Sequence, residues 1–230
     1  MISDKEILMI NMNDLFNYLE CDSNITINVC RSAPNQIQPL HNIQQICQYW
    51  DSKGHKEILD VGCGYLRNSL FLINYFSLYV CDFPQITESQ LFKTRFELLV
   101  RNKNFRQLLP PKNLKHGRLK VDGAFISFVL HTIPENETRI KLIENVKKNL
   151  KYPFEIFIAT PIGEKYYRNQ RKPKNSFGDG FLLDYGDGQK SFYKEFNASQ
   201  IDEFMFELGF KVDKIFFVDK KRMRFYQTVE

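Results

Sequence analysis

Two carboxylates and a glycine turn are the residues best spaced for chemistry. In Glu57 to Leu72, EILDVGCGYLRNSLFL, a short apolar run holds Asp60, opens into Gly62-Cys63-Gly64, and is followed by a second acid, Asp82, 22 positions after the first. Glycines at the end of a strand let a ligand approach backbone that carries no side chain. One strand, one helix and one return strand use about 20 residues, so the second acid arrives beside the first turn, where it can accept from both hydroxyls of a ribose. The phosphate-loop pattern GxxxxGK[ST] is absent, and the dinucleotide pattern GxGxxG lacks its third glycine. A carboxylate at Asp60 would repel a pyrophosphate but can organise the ammonium end of an amino-acid-like ligand.

The elements that must position these groups follow from periodicity. Ile58, Leu59 and Val61 form a buried parallel strand, and Leu66, Leu70 and Ile73 recur at helical spacing after the turn. Leu78 to Cys81 and Phe105 to Leu109 are the next strands, with a helix carrying Leu91, Phe92, Phe96 and Leu99 between them. Val121 to Ile133, VDGAFISFVLHTI, reads as a central buried strand, Ile140, Ile143, Val146 and Leu150 stripe the helix opened by Pro134 and Asn136, and Phe154 to Ala159 is a fifth strand. Alternation at this pace predicts a parallel sheet with right-handed crossovers. Towards the C-terminus, Ser199 with Asp202 predicts a capped helix ended by Gly209, and Phe210 to Val218 and Met223 to Val229 predict an antiparallel hairpin. At the other end, residues 5 to 20 predict a helix, Ile25 to Val29 a strand, and residues 38 to 51 an amphipathic helix whose Tyr49 and Trp50 either line the cleft or belong to the core.

On these residues the chain resembles the class I S-adenosylmethionine-dependent methyltransferases, whose first motif is an apolar strand followed by [D/E]xGxGxG. The stretch from Asp60 to Leu72 is most similar to the tellurite- and thiopurine-resistance type, with Arg67-Asn68-Ser69 after the glycines; Leu66 stands where the third family glycine is usual. The VLHTIP stretch from Val129 to Pro134 resembles the end of the family's fourth strand. The resemblance implies a doubly wound, mostly parallel seven-stranded sheet finished by an antiparallel hairpin, and S-adenosylmethionine as cofactor. It implies cofactor contacts from Asp60, Gly62, Cys63, Gly64, Arg67, Asp82, Phe83 and Phe128. Arg67 would pair with a carboxylate, either the cofactor's or one from the N-terminal segment, and His131 would be either an acceptor base at the mouth or a packing residue. Residues 1–230 would form one methyltransferase domain, with 1–52 as a helical extension and 161–197 as an inserted cap.

That insertion carries the unusual composition. Lys165, Arg168, Arg171, Lys172 and Lys174 are interleaved with Tyr166 and Tyr167, and Gly-Asp-Gly turns at 178–180 and 186–188 bracket the FLLDY run ending in Tyr185. The turns predict a small hairpin, and the acids lack the spacing of a calcium loop. Tyr166, Tyr167, Arg168 and Tyr185 are the candidate substrate contacts, and the length of the insertion predicts a mobile cap from Ile162 to Phe192. Its cations and tyrosines suit an acidic small molecule or a solvated loop, and a nucleic-acid backbone remains the alternative.

Composition sets the remaining bounds. The 230 residues are 43% hydrophobic with a net charge of +5, enough for one packed domain and less basic than a dedicated DNA-binding domain. Lys112 to Lys120 reads as a basic, solvated loop. Cysteines at 21, 30, 47, 63 and 81 include no CxxC pair and no metal-ligand spacing with histidines at 41, 55, 116 and 131, which predicts reduced thiols and no metal. With no secretory signal and no apolar run of ~20 residues, a soluble cytoplasmic protein without a membrane partner is expected. The expected function is methyl transfer to a small-molecule acceptor; the alternatives are an RNA or other nucleic-acid methyltransferase, or a cofactor-binding protein without turnover. Neither [D/N/S]PP[Y/F/W] nor a Pro-Cys dipeptide, the marks of two DNA-methylating chemistries, is present.

Overall fold

The computed structural model describes residues 32–33, 35–161, 172–184, 190–218 and 221–228. The helix expected at 5–20 and the strand expected at 25–29 lie outside them. In chain order the helices and strands are α1 (Ile43–Ser52), β1 (Glu57–Val61), α2 (Ser69–Leu72), β2 (Ser77–Cys81), α3 (Pro84–Thr87), α4 (Gln90–Val100), β3 (Phe105–Leu109), β4 (Gly123–Ser127), α5 (Asn136–Lys147), β5 (Glu155–Thr160), β6 (Ser176–Phe177), β7 (Gly180–Asp184), β8 (Lys190–Tyr193), α6 (Ala198–Glu207), β9 (Phe210–Val218) and β10 (Lys221–Thr228).

Seven strands form one sheet in the order β3-β2-β1-β4-β5-β10-β9. The first five are parallel, and β10 enters antiparallel to both β5 and β9. Alternate residues of the central strands face opposite layers. Ile58, Val80, Phe125 and Phe157 pack towards α1 and α4, whereas Leu59, Cys81, Ile126 and Ile158 pack towards α5 and α6. Both faces are apolar, which is why these strands read as continuous hydrophobic runs. Trp50 is fully buried and meets Phe76, Phe125, Phe157 and Phe225 edge-on, which settles it as a core aromatic. The strand order reverses between β1 and β4, so a ligand crevice belongs at their C-terminal ends.

Several sequence-based boundaries move for identifiable reasons. The helix after the glycine turn is a single turn, because Leu66 sits at φ 62 and breaks the backbone before Ser69. The long apolar stretch from Val121 is a strand only to Ser127; Phe128 at φ 59 ends it, and Leu130–Thr132 is a 3-10 turn. Helix α1 starts at Ile43 rather than at 38. Asn197, not Ser199, caps α6: its side chain accepts from the Gln200 N–H while the Gln200 side chain accepts from the Asn197 N–H. Lys112 to Lys120 is no simple loop, since Pro111–His116 is a 3-10 helix. Strands β6, β7 and β8 form a separate three-stranded antiparallel sheet within the insertion.

Candidate functional site

The crevice at the switch point is formed by the ends of β1, β2 and β4 and encloses about 560 Å³ of space counted to its open mouth. Gly62, Cys63, Gly64, Arg67, Asp82 and Phe128 all line it. Asp60 lies beneath, buried, with its carboxylate accepting from Ser69 Oγ at 2.6 Å. Phe83 and His131 are not among the lining residues, and Tyr166, Tyr167, Arg168 and Tyr185 lie outside the described residues.

Backbone geometry in the turn separates the possible ligands. The Gly62 and Cys63 N–H groups both donate to the Cys81 carbonyl, at 2.8 and 3.2 Å, and Gly64 N–H donates to Asp82 at 2.6 Å. Three successive donors that would cradle a phosphate are therefore committed to the protein itself. Gly62 is required twice over: it sits at φ 68, and a Cβ there would lie 2.4 Å from the Val129 side chain. Leu66, at the third-glycine position, takes the left-handed conformation a glycine would adopt and buries its side chain completely.

The electrostatics are dominated by two carboxylates. Burial pushes Asp60 up to about 7, with Ser69 working against the shift and Asp82 adding to it. Burial likewise raises Asp82 to about 6, although the N–H groups of Phe83 (2.7 Å) and Gly64 hold its charged form. Among the described residues neither acid has a cation within ion-pair distance. Arg67 is half-buried, its guanidinium 5.9 Å from the Phe128 ring centre and depressed by burial, with Asp60 its opposing charge. His131 is held down to about 3 by burial and by neighbouring Arg139, and its Nδ1 has no hydrogen-bond partner. At neutral pH it is uncharged.

Further lining residues were not singled out by sequence: Ser32, Ala33, Tyr65, Asn68, Ile86 and Ser127. Ser127 carried a signal, as a lone hydroxyl in a buried apolar strand; its Oγ is buried without a partner at the crevice wall. Ser32 and Ala33 arrive through long-range contacts that no local pattern encodes. Arg95 of α4 donates to the carbonyls of Asn35 and Gln36 and, at 2.8 Å, of Tyr65, and Asn68 Oδ1 accepts from Leu40 N–H at 2.8 Å. These bonds fasten the segment before α1 across the turn.

The described part of the insertion is tied down as well. Fully buried Arg139 grips Asp179 with two hydrogen bonds, at 2.6 and 2.8 Å, and also donates to the carbonyls of Leu130, Ile133 and Pro134. Lys194 completes the cluster on Asp179, and its N–H donates to the His131 carbonyl at 2.8 Å. Asp179 thus does more than shape its turn. It joins the β6–β7 corner to the loop that follows β4.

Sheet order, switch-point crevice and paired acids define the class: this is the fold of the class I S-adenosylmethionine-dependent methyltransferases. No protein-family model and no curated protein matches the sequence. Among solved structures, the chain is similar to an S-adenosylmethionine-dependent methyltransferase from Methanosarcina mazei, with a TM-score of 0.64 and 19% identity over 83% of this chain and 99% of that one. It is also similar to the magnesium protoporphyrin IX methyltransferase of Synechocystis with bound S-adenosylhomocysteine, at 0.59 and 13% identity over 88% and 85% of the two chains. A third is the Burkholderia thailandensis 1,6-didemethyltoxoflavin N1-methyltransferase with bound substrate and S-adenosylhomocysteine, at 0.58 and 15% identity over 82% and 78%. No helix among the described residues is long and apolar enough to cross a membrane.

Proposed function

We propose that this chain is an S-adenosylmethionine-dependent methyltransferase acting on a small-molecule acceptor. The observation that carries the reading is the state of the glycine turn: its N–H groups are spent internally, while a buried carboxylate, Asp82, is held at the crevice by two of the backbone donors. Such a site is poor for phosphate and good for hydroxyl donors and positive charge, because each carboxylate oxygen keeps a second lone pair. The residues fit the cofactor. Asp82 would receive the ribose hydroxyls, Asp60 and Arg67 would face the amino-acid end, and Phe128 would wall the crevice beside Arg67.

The cofactor supplies a methyl group already activated on a sulfonium, so the protein's task is positioning. Gly62 and Gly64 permit close approach, the left-handed Phe128 turns its ring to the crevice, and the segment at Ser32 and Ala33 covers the turn and limits water. A neutral, buried His131 suits packing rather than proton removal. The solved neighbours named for a substrate act on small molecules, among them a porphyrin and a toxoflavin precursor, which supports the same class of acceptor here. Calorimetry is the direct test. S-adenosylhomocysteine should bind and ATP and NAD should not compete; the absence of heat with S-adenosylhomocysteine would overturn the reading.

A further inference from the structure

One described stretch of the chain is basic throughout. Between residues 101 and 120 stand Arg101, Lys103, Arg106, Lys112, Lys115, Arg118 and Lys120, without a single Asp or Glu. The other 210 residues carry 25 Lys and Arg against 27 Asp and Glu, so outside this stretch the chain is slightly acidic. All seven cations are exposed, and none has an acidic partner within ion-pair distance among the described residues. Arg106 bonds only to neutral groups, Ser77 Oγ and the Lys103 carbonyl.

This surface is built, not loose. Leu114 is buried beneath the 3-10 helix, and Asn149 of the α5–β5 connection donates to the Leu114 carbonyl at 2.7 Å and accepts from Leu119 N–H at 3.1 Å. Gly117 turns the chain at φ 58, where a Cβ would meet Lys148 at 3.1 Å. The anchoring fixes the segment that carries Lys112, Lys115, Arg118 and Lys120, between edge strand β3 and β4. A separate pocket opens there, with Gln107, Asn113, His116 and Arg118 in its wall.

We propose that this edge docks the backbone of double-helical RNA. Uncompensated cations on an anchored segment suit a phosphate backbone, whose counterions they release on binding. Neutral Gln107 and Asn113 beside Arg118 can exchange hydrogen bonds with ribose 2′-hydroxyls, which distinguish RNA from DNA. No exposed aromatic lies in the segment, its Phe105 being half-buried against Phe96, so the stacking platform that single strands require is missing. The proposal does not rest on the methyl-transfer reading.

Fluorescence anisotropy of the full chain with a labelled RNA duplex of roughly 16 base pairs, the span of common duplex-RNA modules, tests it. Binding should weaken steeply with salt, and the triple charge reversal Lys112→Glu/Lys115→Glu/Arg118→Glu should lower affinity at least ~10-fold and flatten the log–log salt slope by about 3. The thermal melting midpoint serves as the fold control and should be unchanged by those exposed substitutions. Undiminished RNA binding in the triple variant would overturn the proposal, as would equal affinity for a DNA duplex or tighter binding to phosphatidylserine vesicles than to RNA.

Discussion

The two ends of the central sheet treat buried charge in opposite ways. At the N-terminal edge of β5, Glu155 is buried and fully matched: Trp50 Nε1 and Lys53 Nζ each donate at 2.5 Å, and Lys53 continues to Asp213, which also accepts from Tyr49. Burial works against the charge on Lys53, but its partners raise it overall, and Asp213 is correspondingly lowered. At the C-terminal edge, Asp60 and Asp82 are buried without an ion-pair partner and are raised instead. A network that satisfies itself has no use for a ligand. Carboxylates left unmatched destabilise the empty protein and gain when a cationic or hydroxyl-bearing ligand arrives.

Removing a member from each end should expose the contrast, and the larger loss of stability belongs to the matched end. Glu155→Ala would strand the Trp50 donor and take one of two acids from Lys53. Breaking a buried pair costs ~3–5 kcal/mol, but Lys53 is a quarter exposed and keeps Asp213, so the expected loss is about 2–3 kcal/mol. Chemical denaturation measures it, and S-adenosylhomocysteine affinity should not change. Equal damage to both would mean that the two ends are coupled.

Asp82→Asn should show the reverse pattern. One amide oxygen can still accept from Gly64 or Phe83, but the charged acceptor is gone, and cofactor affinity should fall by roughly 1–3 kcal/mol in calorimetry. The melting temperature of the empty protein should change far less than in Glu155→Ala. An unaltered dissociation constant would remove Asp82 from the binding site.

The same contrast explains what the sequence made legible. Strands alternating between two apolar layers announce themselves, because Ile58, Phe125 and Phe157 on one face and Leu59, Ile126 and Ile158 on the other leave no polar position to interrupt the run. Asp60 and Asp82 were legible for the opposite reason, as acids at the ends of such runs. The glycine turn was half legible: its conformation followed from Gly62 and Gly64, but the capture of its N–H groups by the Cys81 carbonyl depends on β1–β2 pairing. Positive φ at Leu66 and Phe128 has no local signature in residues that normally avoid it, so the helix after the turn and the strand from Val121 are both shorter than the apolar pattern suggests. The Arg139–Asp179 grip joins positions 40 apart, and nothing in either segment marks it.

The smallest effects, and the most diagnostic, concern pH. A carboxylate raised in the folded state holds its proton more tightly there, so Asp60 costs stability as pH rises from about 4 to about 7 and costs nothing below that window. His131, lowered to about 3, has the opposite sign: its contribution is intact above about 6.5 and is lost as pH falls towards 3, where the unfolded chain takes up the proton first. Asp82, raised to about 6, adds a second slope of the same sign as that of Asp60, so between pH 4 and 6 His131 offsets only one of the two and the parent protein should lose stability as pH rises. Asp60→Asn keeps an oxygen to accept from Ser69 and removes one slope. It should stabilise the empty protein at pH 7 by about 1–2 kcal/mol, a discounted fraction of ~1.4 kcal/mol per pKa unit, and leave Asp82 and His131 opposing each other, so that the dependence between pH 4 and 6 becomes shallow. His131→Gln should remove the opposing slope, so that stability rises more steeply than in the parent on acidification towards pH 4. Urea denaturation of both variants at pH 4.5, 5.5 and 7 measures the pair; parallel curves for the variants and the parent would mean that neither group titrates differently on folding, and the contrast between the two ends of the sheet would then rest on geometry alone.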